Sequence, residues 1–330
     1  MKKTLFIVQT VLLASLAFAK PKAPEWMADV NAVYPQNEYI AMMGTGDTAE
    51  NAKSEAVGSI SRYFSSKVKV NTEASKSFKE TNGEIQSNST LNNTVQIESE
   101  MEVFGIEYAN PYFAKKEKKW YTVAYINKSK AWTQLKPELD FQKNEFNRLY
   151  KKLVNEEDSF IRLRALKKVN GSAEILLRKL EYARIMNAAG ELSYGPERDR
   201  IAELESIEMD AKSNCSIFMA VNGTDYKKTV ETSVASVFSS NGLNVSKSKA
   251  QANYVAEINI DNNENGTDPI SIKPSINIKV LNRSGKTVFS YDVISEEKAL
   301  GYTLDSAQKK LYPELSTKIQ TALSKELDAE

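Results

Sequence analysis

Tyr39-Ile40-Ala41-Met42-Met43-Gly44-Thr45-Gly46-Asp47-Thr48, running on through Ala49, Ala52, Ala56, Ile60, Tyr63 and Phe64, decides the fold class. Tyr39 to Met43 is a short apolar run that reads as a strand, and the glycines mark a turn. The residues beyond recur at helical spacing and form one apolar stripe. Asp47 is placed to cap that helix, with Glu50 three residues on completing a capping-box-like pair. A strand, a Gly-x-Gly turn and a helix also make up phosphate-binding loops. Here the third glycine and the Gly-Lys-Ser/Thr ending are missing, and Asp47 puts negative charge where a phosphate would sit. A tight turn is expected instead.

Downstream, the helix is expected to fade at Ser65-Ser66, with Val68 and Val70 opening a strand. Ser75 to Asn93 is polar and without hydrophobic period, which predicts a long loop or hairpin tip. Val95, Ile97, Met101 and Val103 mostly alternate with polar residues, as in a half-buried strand. The phase changes at Phe104, which predicts a β-bulge near Gly105. The acidic row Glu98, Glu100 and Glu102 reads as a solvated face, because no loop supplies further oxygen ligands for a cation. Lys115-Lys116-Glu117-Lys118-Lys119 and then Trp120-Tyr121-Thr122-Val123-Ala124-Tyr125-Ile126 predict a hairpin with a basic tip. The order β-α-β-β-β makes a small α+β domain that closes near Gln134.

Pro137 is expected at the first turn of a helix that opens a connector over 136–212. Its apolar stripes are Leu139, Phe146, Leu149, Tyr150 and Leu153, then Phe160, Leu163 and Leu166, and a third after Gly171-Ser172. A loop is expected from Gly190 to Pro196, and the connector reads as an antiparallel helical hairpin. From Cys215 the pattern returns to β-α-β-β-β-β-α, with a terminator at Asn241-Gly242 and a hairpin turn at Asn282-Arg283-Ser284-Gly285. Pro313 is expected to kink or restart the last helix.

The chain has 330 residues, with 44 lysine plus arginine against 43 aspartate plus glutamate. That balance gives no reason to expect a nucleic acid or an anionic membrane as the main partner. Histidine is absent, which removes Ser-His, Cys-His and His-metal arrangements together. No catalytic, cofactor-binding or metal-binding residues are therefore assigned, and no cofactor is expected. Cys215 is the only cysteine, and its apolar neighbours predict a buried, inert thiol. At the start, Met1-Lys2-Lys3, an apolar run from Leu5 to Phe18 and Ala17-Phe18-Ala19 have the form of a cleaved signal peptide over 1–19. No cysteine stands near the end of that run to carry a lipid, so at most peripheral membrane contact is expected.

Two stretches carry a family resemblance. Tyr39 to Thr48 with Glu50-Asn51-Ala52-Lys53 and Ala56 resembles the opening of the bacterial Lpp-20 lipoprotein family. Trp120 to Ala131 resembles that family's closing strand, and Pro24-Glu25-Trp26 its lead-in. The resemblance covers about Pro24 to Leu135. It implies a domain similar to the amino-terminal domain of flagellar assembly protein T, an outer-membrane or periplasmic location and no catalytic residues. The missing lipobox cysteine departs from the family. By element order alone, the carboxy-terminal domain is similar to the middle domain of flagellar assembly protein T or to the amino-terminal domain of TolB.

Together these readings give an α+β protein of two small sandwich-type domains with mainly antiparallel sheets. They are a domain over 24–135 and another over 213–330, joined by the helical connector. The expected role is a non-catalytic scaffold or adaptor among envelope proteins, periplasmic, outer-membrane-associated or secreted. Lys115, Lys116, Lys118, Lys119 and Trp120 form the candidate interaction surface; the plainer reading of the lysines is a solvated tip that also blocks edge pairing. The alternative role is binding an envelope polymer such as peptidoglycan or another glycan, with Trp120, Tyr121 and Tyr125 as the platform. A hydrolase built on paired carboxylates is the remaining reading.

Overall fold

The computed structural model describes residues 23–76, 104–294 and 298–328. The expected signal peptide, the body of the polar loop, the strand from Val95 and the acidic row Glu98, Glu100 and Glu102 lie outside these residues. The chain is mixed α and β, its sheets are mostly antiparallel, and none closes into a barrel. It divides into two compact units, Met1–Gln134 and Leu135–Glu330. No described helix is long and apolar enough to cross a membrane.

In the first unit, β1 (Tyr39–Gly46) leads into α1 (Ala49–Lys76). The short strands β2 (Glu107–Tyr108) and β3 (Tyr112–Ala114) follow, and then β4 (Lys119–Asn127). β4 is rich in aromatic and β-branched residues and takes the centre of the sheet. It pairs antiparallel with the whole of β1, from Tyr39 opposite Asn127 to Gly46 opposite Trp120. Its other edge takes β2 and then β3. Pro111 lies between those two, where a residue without an N–H would leave a gap in the ladder.

Helix α1 buries Ala52, Ala56, Ile60 and Phe64 completely. A β-carbon on Gly44 would come within 2.1 Å of the Ala52 carbonyl oxygen, and one on Gly46 within 2.7 Å of the Ala52 nitrogen. The glycines are thus spaces into which the alanine face of the helix fits. The cap differs from expectation: Thr48, not Asp47, accepts a hydrogen bond from a helix amide, that of Asn51 at 3.1 Å.

The helix also runs on through Ser65-Ser66, Val68 and Val70, where a strand was expected. Ser65 donates to the Ser61 carbonyl and Ser66 to the Tyr63 carbonyl, each at 2.8 Å, so the hydroxyls are satisfied inside the helix and do not end it. Near the expected bulge, Phe104-Gly105 is a turn, with Gly105 at φ +66°.

The second unit takes in most of α2 (Lys128–Asn155), then α3 (Ser159–Met186) and α4 (Gly195–Ser213). Three boundaries differ from the sequence reading. α2 begins nine residues before Pro137, so the proline is interior. α3 passes unbroken through Gly171-Ser172, since its buried residues Val169, Ala173 and Leu176 hold one face against the core. Gly190 to Pro196 is taken up by helical turns and the start of α4.

Gln142 reaches Ser172 on α3, and Lys179 of α3 reaches Glu138, so those helices run antiparallel. Asp140 accepts from Tyr194, and Asn147 contacts Glu197 and Arg200, which sets α4 parallel to α2. The result is a three-helix bundle and not a hairpin. Its buried carboxylates are bonded: Arg198 reaches Glu191 at 2.6 Å and Glu181 at 3.0 Å.

A five-stranded sheet follows in the order β10-β9-β7-β5-β6. Its strands are β5 (Ser216–Asn222), β6 (Asn244–Ser246), β7 (Tyr254–Asp261), β9 (Ser275–Asn282) and β10 (Thr287–Ile294). β5 is parallel to β6 and β7, and the remaining pairs are antiparallel. β8 (Ile270–Ile272) and β11 (Ala299–Gly301) form a separate ribbon that the sequence reading lacked. Helices α5 (Thr229–Ser240) and α6 (Leu304–Asp328) complete the unit, and α6 runs continuously through Pro313. Cys215, just before β5, is fully buried, and burial pushes its thiol up to about 12.

The helical segment is not a free arm. Phe160 of α3 lies among Phe238, Tyr254 and Phe289, with ring centroids 5.7 to 6.4 Å apart. Asp158 caps α3 and also accepts from the Tyr254 hydroxyl at 2.9 Å and the Asn282 amide at 3.0 Å. One apolar core and one polar hub therefore bind α3 to the sheet, so 136–212 and 213–330 belong to one compact unit.

Candidate interaction surface

β3 and β4 form the expected hairpin, with Tyr112 opposite Tyr121, Phe113 opposite Trp120 and Ala114 opposite Lys119. The Glu117 and Lys118 amides both bond to the Ala114 carbonyl, at 3.1 and 2.8 Å, and close the turn. Lys118 takes the left-handed conformation, at φ +56°. Lys115, Lys116, Lys118 and Lys119 are all exposed, with Glu117 the only acid among them. Tyr121 donates to the Glu117 carboxylate across the base of the tip.

Directly opposed residues on paired strands share a face. Phe113 and Trp120 accordingly stand side by side, with ring centroids 5.3 Å apart. Phe113 is 39% exposed and Trp120 half-buried. The basic tip and this aromatic pair make one amphipathic edge.

The platform of Trp120, Tyr121 and Tyr125 does not form. Alternation along β4 puts Trp120 on one face and the two tyrosines on the other. Tyr125 is engaged internally, stacked on Tyr34 at 4.4 Å and donating to Glu107 at 3.0 Å. Burial and then that carboxylate push the phenol up to about 12. Hydrogen bonds from Lys130 and Tyr125 hold Glu107 below its ordinary value. Together with buried Trp26, Tyr34 fastens the amino-terminal segment to the unit.

A second polar surface lies on the carboxy-terminal sheet. Asn222 stands opposite Asn259, Asn259 opposite Asn277, and Asn277 opposite Asp292. Their side chains form a directed ladder. The Asn222 amide donates to Asn259 at 3.0 Å, Asn259 to Asn277 at 3.5 Å and Asn277 to Asp292 at 2.7 Å. The row borders an open groove of about 460 Å³, with Asp261 and Ser275 beside it.

No family model matches the chain, and no curated protein matches it. The resemblance to the Lpp-20 family thus finds no support beyond the residues that suggested it. Solved structures similar to the chain include two bacterial proteins. A secreted protein from the human pathogen Helicobacter pylori is 13% identical, with a TM-score of 0.38, covering 86% of this chain and 97% of that one. A minor lipoprotein from Acinetobacter baumannii is 12% identical, with a TM-score of 0.26, covering 35% and 92%. Both scores are too low to establish a shared fold.

Of the sequence-derived surface, the structure keeps the four lysines and Trp120 together on one hairpin. The sequence reading missed Phe113, which only the register reveals as the neighbour of Trp120. It also missed the amide ladder, although Glu257-Ile258-Asn259-Ile260-Asp261 and Ser275-Ile276-Asn277-Ile278-Lys279 carry a shared alternation that could have flagged it.

Proposed function

We propose that this chain is an exported, non-catalytic protein of the cell envelope that acts as a scaffold or adaptor, gripping an acidic protein partner through the β3–β4 hairpin. One observation carries the reading: an exposed tip of four lysines and one glutamate sits directly beside the Phe113–Trp120 pair. Aromatic anchors supply apolar area at a binding surface, and surrounding charges steer association and set its salt dependence. The leader-like residues Met1 to Ala19 support export, and a chain without histidine supports a role in binding.

The test is recovery of partners from the native envelope on a tagged full-length chain, at low and high salt. Changing Lys115, Lys116, Lys118 and Lys119 to glutamine should reduce recovery at least tenfold at low salt. Adding Trp120→Ala should remove what remains. Screening acts over ~8 Å at physiological salt, so high salt should mimic the glutamine variant. Partner recovery unchanged by both sets of substitutions would overturn the assignment. Loss of binding to anionic vesicles, with protein partners unaffected, would overturn the choice of a protein as the occupant.

A further inference from the structure

Asparagine is depleted in strands because its amide competes with the backbone for hydrogen bonds. Even so, Asn259 and Asn277 occupy strand interiors, in register with each other, with Asn222 and with Asp292. Helices α5 and α6 do not reach this face. The face they serve carries the fully buried Ile217, Ala256, Ile258, Ile278 and Val280. On the open face the rows change along the strands: Phe218, Val255 and Leu281, then Ala220, Glu257, Lys279 and Ser290, then the ladder, then Asp261 and Ser275. Described residues in all these rows are half-buried or exposed.

Asn259 and Asn277 each spend one N–H and one oxygen lone pair on their neighbours, and Asn222 at the end of the row spends one N–H. Each amide thus keeps a second N–H and at least one further lone pair, on a residue that lines the groove. Strand spacing sets these at ~4.8 Å intervals, so the row spans about 14 Å. An apolar ligand would strand these groups without partners. An anionic ligand would meet Asp261 and Asp292. A neutral chain bearing hydroxyl and acetamido groups both donates and accepts at each position.

We propose that the groove along Asn222, Asn259, Asn277 and Asp292 binds a neutral saccharide chain, and one bearing N-acetyl groups best. The site shares no residue with the lysine hairpin, so the two readings can fail independently.

The experiment titrates the full-length protein with the β-1,4-linked tetramer of N-acetylglucosamine, read by calorimetry. Wild type should bind saturably, and the hairpin lysine-to-glutamine variant should bind equally well. Asn277→Val and, separately, Asn259→Val should each weaken binding at least tenfold. Valine is a strong strand former, so thermal midpoints should hold; a variant whose midpoint collapses is replaced by the other. Absence of saturable binding by wild type, or undiminished binding by a folded valine variant, overturns the proposal. So does preferential binding of a tetralysine peptide that Asp292→Asn abolishes, which would make the groove a cation site.

Discussion

Gly44 illustrates how much one missing methyl group decides. It faces Ala52 and Ala56 across a gap that a β-carbon would close to 2.1 Å from a carbonyl oxygen, and the obstacle is backbone, which cannot swing aside. Gly44→Ala should therefore destabilise the first unit by roughly 1–3 kcal/mol through overpacking, or more if the helix must shift bodily. Urea denaturation followed by tryptophan fluorescence would measure it, since Trp26, Trp120 and Trp132 all lie in that unit, and an unchanged midpoint would contradict the close approach. The same residue explains a misreading that the sequence invites. Gly44-Thr45-Gly46 looks like a ligand loop because glycine there has two uses, room for a phosphate and room for a helix. Only the alanines four residues apart in the next element favour the second.

At the scale of elements, the strands were legible and the helix limits were not. Alternation marked β7 and β9 because one face of each is buried, and the unbroken aromatic and β-branched run marked β4. Helix ends were placed at Ser65-Ser66, at Pro137 and at Gly171-Ser172, all weak formers that the structure carries inside helices. Packing of an apolar face overrides such local preferences. The override has a cost at Pro137, which removes a hydrogen bond to the Thr133 carbonyl and crowds that turn. Pro137→Ala should thus stabilise the protein by about 1–3 kcal/mol, seen as a higher denaturant midpoint with unchanged slope. A lower midpoint would show that α2 depends on the proline's geometry. The candidate surfaces divide in the same way: the lysine tip is contiguous in sequence and was found, whereas Phe113 beside Trp120 and the amide ladder exist only through strand register.

For the molecule as a whole, the titrating groups predict a broad plateau of stability. Glu107 is held below its ordinary 4.5 by Lys130 and Tyr125, and Asp140 below its ordinary 3.8 by Lys136 and Tyr194. A carboxyl depressed in the folded state contributes stability above its unfolded pKa, and the contribution is lost as pH falls through the folded value. Both groups are partly exposed, so the acid loss should be shallow. Tyr125 is raised from 10.0 to about 12 and Cys215 from 9.0 to about 12, chiefly by burial. For raised groups of this kind the contribution is complete below the unfolded pKa and lost as pH climbs towards the folded one. With no histidine in the chain, thermal midpoints should stay level between about pH 5 and pH 9 and fall above it. A step near pH 6.5 would contradict this account. The buried Cys215 also turns the native protein into its own clock. A thiol reagent cannot reach that sulfur until the surrounding core opens, and no other cysteine competes for it. Labelling in excess reagent should then proceed at a rate independent of reagent concentration, set by how often the carboxy-terminal unit opens. Labelling that scales linearly with reagent would instead report rapid opening and closing, and would give the free energy of that opening directly.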